Sequence, residues 1–200
     1  ISWEFYPTTL LAQSDSCIGS KSSINSGDVK NILGTFTPPN KIIIDVDFLT
    51  TLEEKDIFSG IGEMIKVHAI NSPTDFDSIS NNYEKILTSP SVMESFIYKS
   101  LIMKKSLIEV DEFDQGPRNV MNYGHSFGHA IESVTKYKIP HGIAVTIGMD
   151  VANYVASKLG ISTIEHFKRM HKVLEQNYKT LKHVNIKVES LMEALSKDKK

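Results

Sequence analysis

Apolar residues along most of this chain recur at helical spacing. From Thr51 onward, Leu52, Ile57 and Ile61 lead into a run that carries Glu63 and Lys66. Asn71-Ser72-Pro73 ends it, because proline cannot continue a helix and restricts the residue before it. A second helix is expected from near Pro90 through Met93, Phe96, Ile97, Leu101, Lys104 and Leu107. Asp111 to Pro117 reads as an acidic loop. A histidine-bearing helix follows and fades near Tyr137-Lys138-Ile139-Pro140. His141 opens the next, through Val145, Met149, Ala152 and Val155 to a stop at Gly160. Ser162 is placed to cap a further helix toward Tyr178, with Glu165 set for a capping box. Val188 to Ser196 is the last helix expected.

The amino-terminal stretch has a different texture. Ile1 to Tyr6 alternates polar and apolar residues and stops at Pro7, as a short strand would. Thr8 to Asn40 is rich in Ser, Gly, Asn and Pro and reads as a loop-rich, binding-competent segment. Lys41-Ile42-Ile43-Ile44-Asp45 is a β-branched run expected to form a buried strand. The chain therefore divides into a strand- and loop-rich part, residues 1–50, and a mainly helical part, residues 51–200.

Composition narrows the function classes. A net charge of −2 gives no basic surface for nucleic acid or for a membrane. No apolar run approaches the roughly 20 residues that cross a bilayer. Cys17 is the single cysteine, so no internal disulfide forms and a reducing cytoplasmic setting is the simplest expectation. The chain opens on Ile1 and closes on Lys197-Asp198-Lys199-Lys200, and both ends read as cut.

The candidate chemistry lies in Arg118-Asn119-Val120-Met121-Asn122-Tyr123-Gly124-His125-Ser126-Phe127-Gly128-His129. His125 and His129 are four residues apart, which puts both on one helix face. Pro140-His141-Gly142 adds a third imidazole, and Gly62-Glu63-Met64-Ile65-Lys66 an acid. One carboxylate with two or three imidazoles suits a divalent metal that keeps a position open for substrate. Each part has a plainer use. One histidine of the pair would be core and the other surface, His141 merely a helix cap, and Glu63 a solvated acid. Lys104 and Lys105 would form a solvated helix face. Arg118 would pair with Asp111, Glu112 or Asp114, and Lys199 and Lys200 would be a frayed tail. Trp3, Cys17, His68, His166, His171 and His183 read as structural or surface.

The ordered set resembles the 3-dehydroquinate synthases, within the wider sugar-phosphate cyclases. The likeness runs through Pro7 to Gln13, Asp15 to Lys21, Lys30-Asn31, Phe48 to Leu52, Gly62 to Lys66, Arg118 to His129, His141 to Val145 and Asp198 to Lys200. It implies a mainly α chain: the helical, metal-binding carboxy-terminal domain of an α/β + α protein, with residues 1–50 left from an NAD-binding domain. By the same likeness Glu63, His125 and His141 hold zinc or cobalt, and His129 contacts substrate and relays a proton. Lys104, Arg118 and Asn122 grip carboxylate and phosphate, and one of Lys199 and Lys200 reaches phosphate. Lys66 faces the same pocket, and Asp15 and Asn31 touch substrate. The nicotinamide side of NAD falls to Thr8, Thr9, Asp15, Lys21, Lys30 and Phe48, Leu49, Thr50 and Thr51.

The activity implied is cyclisation of 3-deoxy-arabino-heptulosonate 7-phosphate to 3-dehydroquinate with loss of phosphate, by transient oxidation through NAD. The full-length family member is expected to be a homodimer. Alternatives are a cyclase for sedoheptulose 7-phosphate or glucose 6-phosphate, a metal-dependent polyol dehydrogenase, and a non-catalytic helical dimerisation domain. Gly60-Ile61-Gly62 lacks the third glycine and preceding strand of a dinucleotide fingerprint. The resemblance thus implies a missing Rossmann-like half, so these 200 residues alone are expected to bind NAD weakly or not at all and not to turn over. Three departures stand out. Ser20 replaces a glycine, at a cost of about 1 kcal/mol if φ is positive there. Pro117 replaces a leucine. Ile143 replaces an acid, which puts a supporting contact to His141 in doubt.

Overall fold

The computed structural model describes residues 2–26, 29–181 and 185–197, and of residues 25, 26 and 29–32 the backbone only. Its helices are α1 (Glu54–Asn71), α2 (Pro73–Asn81), α3 (Tyr83–Thr88), α4 (Pro90–Val110), α5 (His125–Val134), α6 (His141–Lys158), α7 (Ile164–Tyr178) and α8 (Val188–Ser196). The strands are β1 (Glu4–Phe5), β2 (Lys21–Ser26), β3 (Val29–Phe36) and β4 (Lys41–Ile42).

The expected helices fall where the periodicity puts them, with two additions. Ser72 ends α1 and at once caps α2, its hydroxyl accepting from the Asp75 amide at 3.1 Å with Pro73 at the first helical position. The triplet that reads as a stop is thus also a start, and α2 and α3 fill the stretch before Pro90. The expected cap at Ser162 moves by one residue. Thr163 accepts from the His166 amide at 3.1 Å, which leaves Glu165 one position short of a capping box.

The amino-terminal region departs further from expectation. Thr8 to Asn40 is not merely loop: it holds a π-helical turn over Ala12–Ser16 and the antiparallel β2–β3 hairpin. None of that hairpin's described side chains, at residues 21–24 and 33–36, is buried. Ile24 pairs with Leu33, yet they are 64% and 62% exposed, so no alternation marks the strands in sequence. The strand expected over Lys41 to Asp45 shrinks to β4, which pairs in parallel with the equally short β1, and Ile44 is exposed. Ser20 escapes the expected cost: Gly19 takes the positive φ of that turn, at +100°, and Ser20 does not.

The core lies between α1, α4, α6 and α7, where Ile61, Met64, Ile65, Ile97, Met149 and Leu174 are almost wholly buried. Each contributes about 1.5–3 kcal/mol of burial. Asn177 ties the layers together. It accepts from Tyr83 Oη at 3.0 Å and donates to the Phe58 carbonyl and Thr146 Oγ1, both at 3.1 Å. The contact that builds the site is the crossing of α1 and α6. A Cβ on Gly62 would lie 2.2 Å from the Gly142 carbonyl oxygen, and one on Gly142 would lie 1.8 Å from that of Ser59. Only two glycines let the backbones pass this closely. No helix among the described residues is long and apolar enough to cross a membrane.

Candidate metal centre

Two breaks in the chain and one mid-helix position aim three side chains at one point. Glu63 sits next to Gly62 in the middle of α1 and is 1% exposed. Gly124, at φ +77°, separates the turn Pro117–Asn122 from α5, so that His125 is the first helical residue. Pro140 does the same for α6 and His141. Glu63 Oε1 lies 3.9 Å from His125 Nε2 and 3.6 Å from His141 Nε2. The ligand atoms of all three lie within 4.8 Å of one another. Glu63 Oε1 is buried and accepts no hydrogen bond among the described residues, while Oε2 meets Lys66 Nζ at 2.5 Å.

The imidazoles are held from behind. His125 Nδ1 lies 3.2 Å from the Tyr123 carbonyl, which can only accept, so Nδ1 carries the proton and Nε2 the lone pair. Burial, then the Lys66 charge, pushes the His125 pKa down to about 2, which keeps the ring neutral. His141 Nδ1 meets Glu132 Oε2 at 3.2 Å. Burial opposes charge on that ring, but the hydrogen bond to Glu132 and the Glu63 and Glu132 carboxylates outweigh it and raise its pKa. The contact that Ile143 puts in doubt is thus supplied by Glu132. Ile143 itself is core. An acid and two lone-pair-bearing Nε2 atoms form a catalytic-type zinc set. Tetrahedral bonds of about 2.0–2.1 Å would set donors roughly 3.4 Å apart, slightly closer than seen here. The donor set therefore fits a divalent ion after a small contraction.

Around this point the other expected residues divide. Lys66 joins the cluster. His129 lies one turn after His125, its ring stacked on His141 at 6.0 Å. Lys104 is no solvated lysine: it is buried, with Nζ 2.6 Å from the Asp15 carbonyl and 3.1 Å from Asp15 Oδ1. Lys105 is the exposed one, 3.5 Å from Glu109. Arg118 is buried too. Its Nη1 donates to the Glu112 carbonyl at 2.7 Å, and only its backbone amide meets Asp111. Asn122 is half-buried and donates to Asn119 at 3.4 Å. Lys21 is exposed on β2 and pairs with Asp114 at 2.8 Å.

Burial by itself would raise the Asp15 carboxyl, but the Lys104 and Lys66 ammonium groups hold it below the usual carboxylate range, which places this pair beside the cluster. A depressed folded pKa gives stability that is present above the ordinary value near 3.9 and is lost as pH falls through the folded value. Asp15→Asn should therefore flatten the acid limb below about pH 4 in urea titrations. An unchanged limb would show that the pair adds nothing.

Thr8 and Thr9 stand exposed, as do Phe48, Thr50 and Thr51 on a 3-10 turn over Val46–Thr51, where Leu49 is half-buried against the core. Gln13, fully buried, stitches the two by donating to the Pro7 carbonyl at 3.1 Å and the Asp45 carbonyl at 2.7 Å. The side chains of Lys30 and Asn31, and all of His183, Lys199 and Lys200, lie outside the described residues. Sequence reading missed Glu132 and Gln13. Glu132 falls two turns after His125, and that spacing was its only signal.

The family model for the 3-dehydroquinate synthase C-terminal region matches residues 60–200, and that for the N-terminal region matches residues 1–59. This chain belongs to the 3-dehydroquinate synthase family. It is 38% identical over 195 residues to a 3-dehydroquinate synthase of Dehalococcoides mccartyi, covering 97% of this chain and 54% of the relative. To that of Dictyoglomus thermophilum it is 44% identical over 170 residues, covering 84% and 48%. The chain thus spans about half the length of the curated relatives it matches. Among solved structures, a 2-deoxy-scyllo-inosose synthase complexed with carbaglucose-6-phosphate, NAD+ and Co2+ matches with a TM-score of 0.85 and 25% identity, covering 98% of this chain and 54% of that one. A 2-epi-5-epi-valiolone synthase from Streptomyces hygroscopicus, at 23% identity and TM-score 0.84, covers 98% and 55% and shares the fold. The expected fold class, a helical carboxy-terminal domain with a short strand-bearing start, holds.

Proposed function

We propose that this chain supplies the metal- and substrate-binding half of a 3-dehydroquinate synthase, a carbon–oxygen lyase that cyclises 3-deoxy-arabino-heptulosonate 7-phosphate with release of phosphate. The observation that carries the reading is the convergence of Glu63 Oε1, His125 Nε2 and His141 Nε2 on one buried point. Zinc or cobalt there would act as a Lewis acid on substrate oxygens, and NAD would take and return a hydride. The chain's own groups orient and neutralise. Lys104 and Arg118 offer an ammonium and a guanidinium for the carboxylate and phosphate, and Asn122 an amide. His129 holds and moves a proton next to the ligand histidines. Lys66 and Asp15 complete the substrate wall, and the family likeness assigns Asn31 a contact to substrate. Thr8, Thr9, Lys21, Lys30 and the Phe48 to Thr51 turn serve the nicotinamide side. Thr50 and Thr51 already donate to the Asp47 and Phe48 carbonyls, at 2.7 and 3.2 Å, and so keep acceptor capacity for a ligand.

A cyclase for a different sugar phosphate is the second reading, because a related synthase of closely similar fold is complexed with carbaglucose-6-phosphate. A substrate panel separates the two. The complete protein, supplied with NAD and zinc or cobalt, should release phosphate from the heptulosonate phosphate and little from sedoheptulose 7-phosphate or glucose 6-phosphate. The reverse preference would replace the first reading by the second. Oxidation of a polyol without phosphate release would replace both.

A further inference from the structure

We propose that Glu132 is a positioning residue for the metal: it fixes the tautomer and ring plane of His141 without itself binding the ion. The inference rests on the metal reading above. His141 lies between two carboxylates, one at each ring nitrogen. Nε2 is 3.6 Å from Glu63 Oε1 and Nδ1 is 3.2 Å from Glu132 Oε2. Glu132 is 4% exposed, so its carboxylate is desolvated and gains most from a ring proton. With the proton drawn to Nδ1, the lone pair stands on Nε2 toward Glu63, and the ring cannot turn without giving up a charge-assisted hydrogen bond. His125 is held the same way by a neutral carbonyl, so Glu132 makes His141 the stronger donor of the two.

The same side chains admit a rival use. His129, Glu132 and His141 also offer ligand atoms within 4.8 Å of one another. The 3.2 Å bond to His141 Nδ1 spends Oε2 on the ring proton and favours the positioning role; the second oxygen is left over, and the number of ions bound separates the two uses.

Zinc affinity by chelator competition, ions bound per chain, the visible spectrum of the cobalt form and the melting temperature of the metal-free protein test this. The expected result is one ion per chain in the parent and in Glu132→Gln. The variant should bind about 10- to 100-fold more weakly, with an altered cobalt band and an unchanged metal-free melting temperature. Glu132→Asp, which keeps the charge on a shorter arm, should fall between them, and it carries the comparison if the Gln protein does not fold. Unchanged affinity in both variants overturns the inference. So does a parent that binds two ions and a Gln variant that binds one, because Glu132 is then a ligand. A parent that binds no ion overturns the metal reading itself, a result distinct from unchanged affinity.

Discussion

His125→Ala protein should hold no zinc or cobalt through gel filtration, whereas the parent should hold one ion per chain. The variant removes a donor whose partner nitrogen is tied to the Tyr123 carbonyl and whose ring is neutral at any working pH. No neighbour is left charged by its loss. The same cannot be said of Glu63, whose removal would strand the buried Lys66 ammonium and cost about 3–5 kcal/mol of stability on that account alone. Phosphate release by the complete enzyme should fall on the order of a thousandfold, since Lewis-acid stabilisation is worth several kcal/mol. A readout independent of turnover is thermal. At a hundredfold excess over Kd the ion adds about 2.7 kcal/mol, which for a chain of this size is roughly 5–10 °C. The parent should show that shift on loading and lose it to a chelator, and the variant should show none. A variant that keeps both ion and shift would remove His125 from the ligand set.

Gly142→Ala should be the most damaging added methyl among the described glycines. The added carbon would sit 1.8 Å from the Ser59 carbonyl oxygen and 2.7 Å from its carbon, both backbone atoms of α1 that no rotamer change can move. Overpacking of this sort costs about 1–3 kcal/mol and sometimes more. Here the upper end is expected, with a fall in melting temperature of about 6–12 °C. Because Glu63 follows Gly62 and His141 precedes Gly142, the protein that still folds should also lose metal affinity. Gly160→Ala is the contrast. Nothing lies within 4 Å of its added carbon, and its φ of +70° carries the whole cost. That is about 1 kcal/mol with the ion retained. A Gly142→Ala protein with parental melting and affinity would mean that α1 and α6 do not cross as described.

What could be read in the sequence was whatever the backbone enforces locally. Period, proline and glycine marked α1, α4, α6 and α8, and the spacing of His125 and His129 fixed a shared face. What stayed hidden depended on partners far along the chain. The described side chains of the hairpin β2–β3 are all exposed and do not announce it, and α2 hides behind a triplet that ends one helix while starting another. Lys104 looked like Lys105 until folding set Asp15 against one of them. Glu132 carries no mark of its task, because the ring it steadies begins the next helix.

Lys66 has one more effect. It stands 2.5 Å from Glu63, and both are nearly shut off from solvent, so the protein itself already cancels the charge of the acid in the proposed metal set. A dication arriving there brings its two positive charges as surplus, and Glu132 offsets one of them at most. At low permittivity such an imbalance is felt strongly across the cavity. On the proposed metal reading, the coordination position left open would thereby favour oxyanions over a neutral sugar without phosphate or carboxylate.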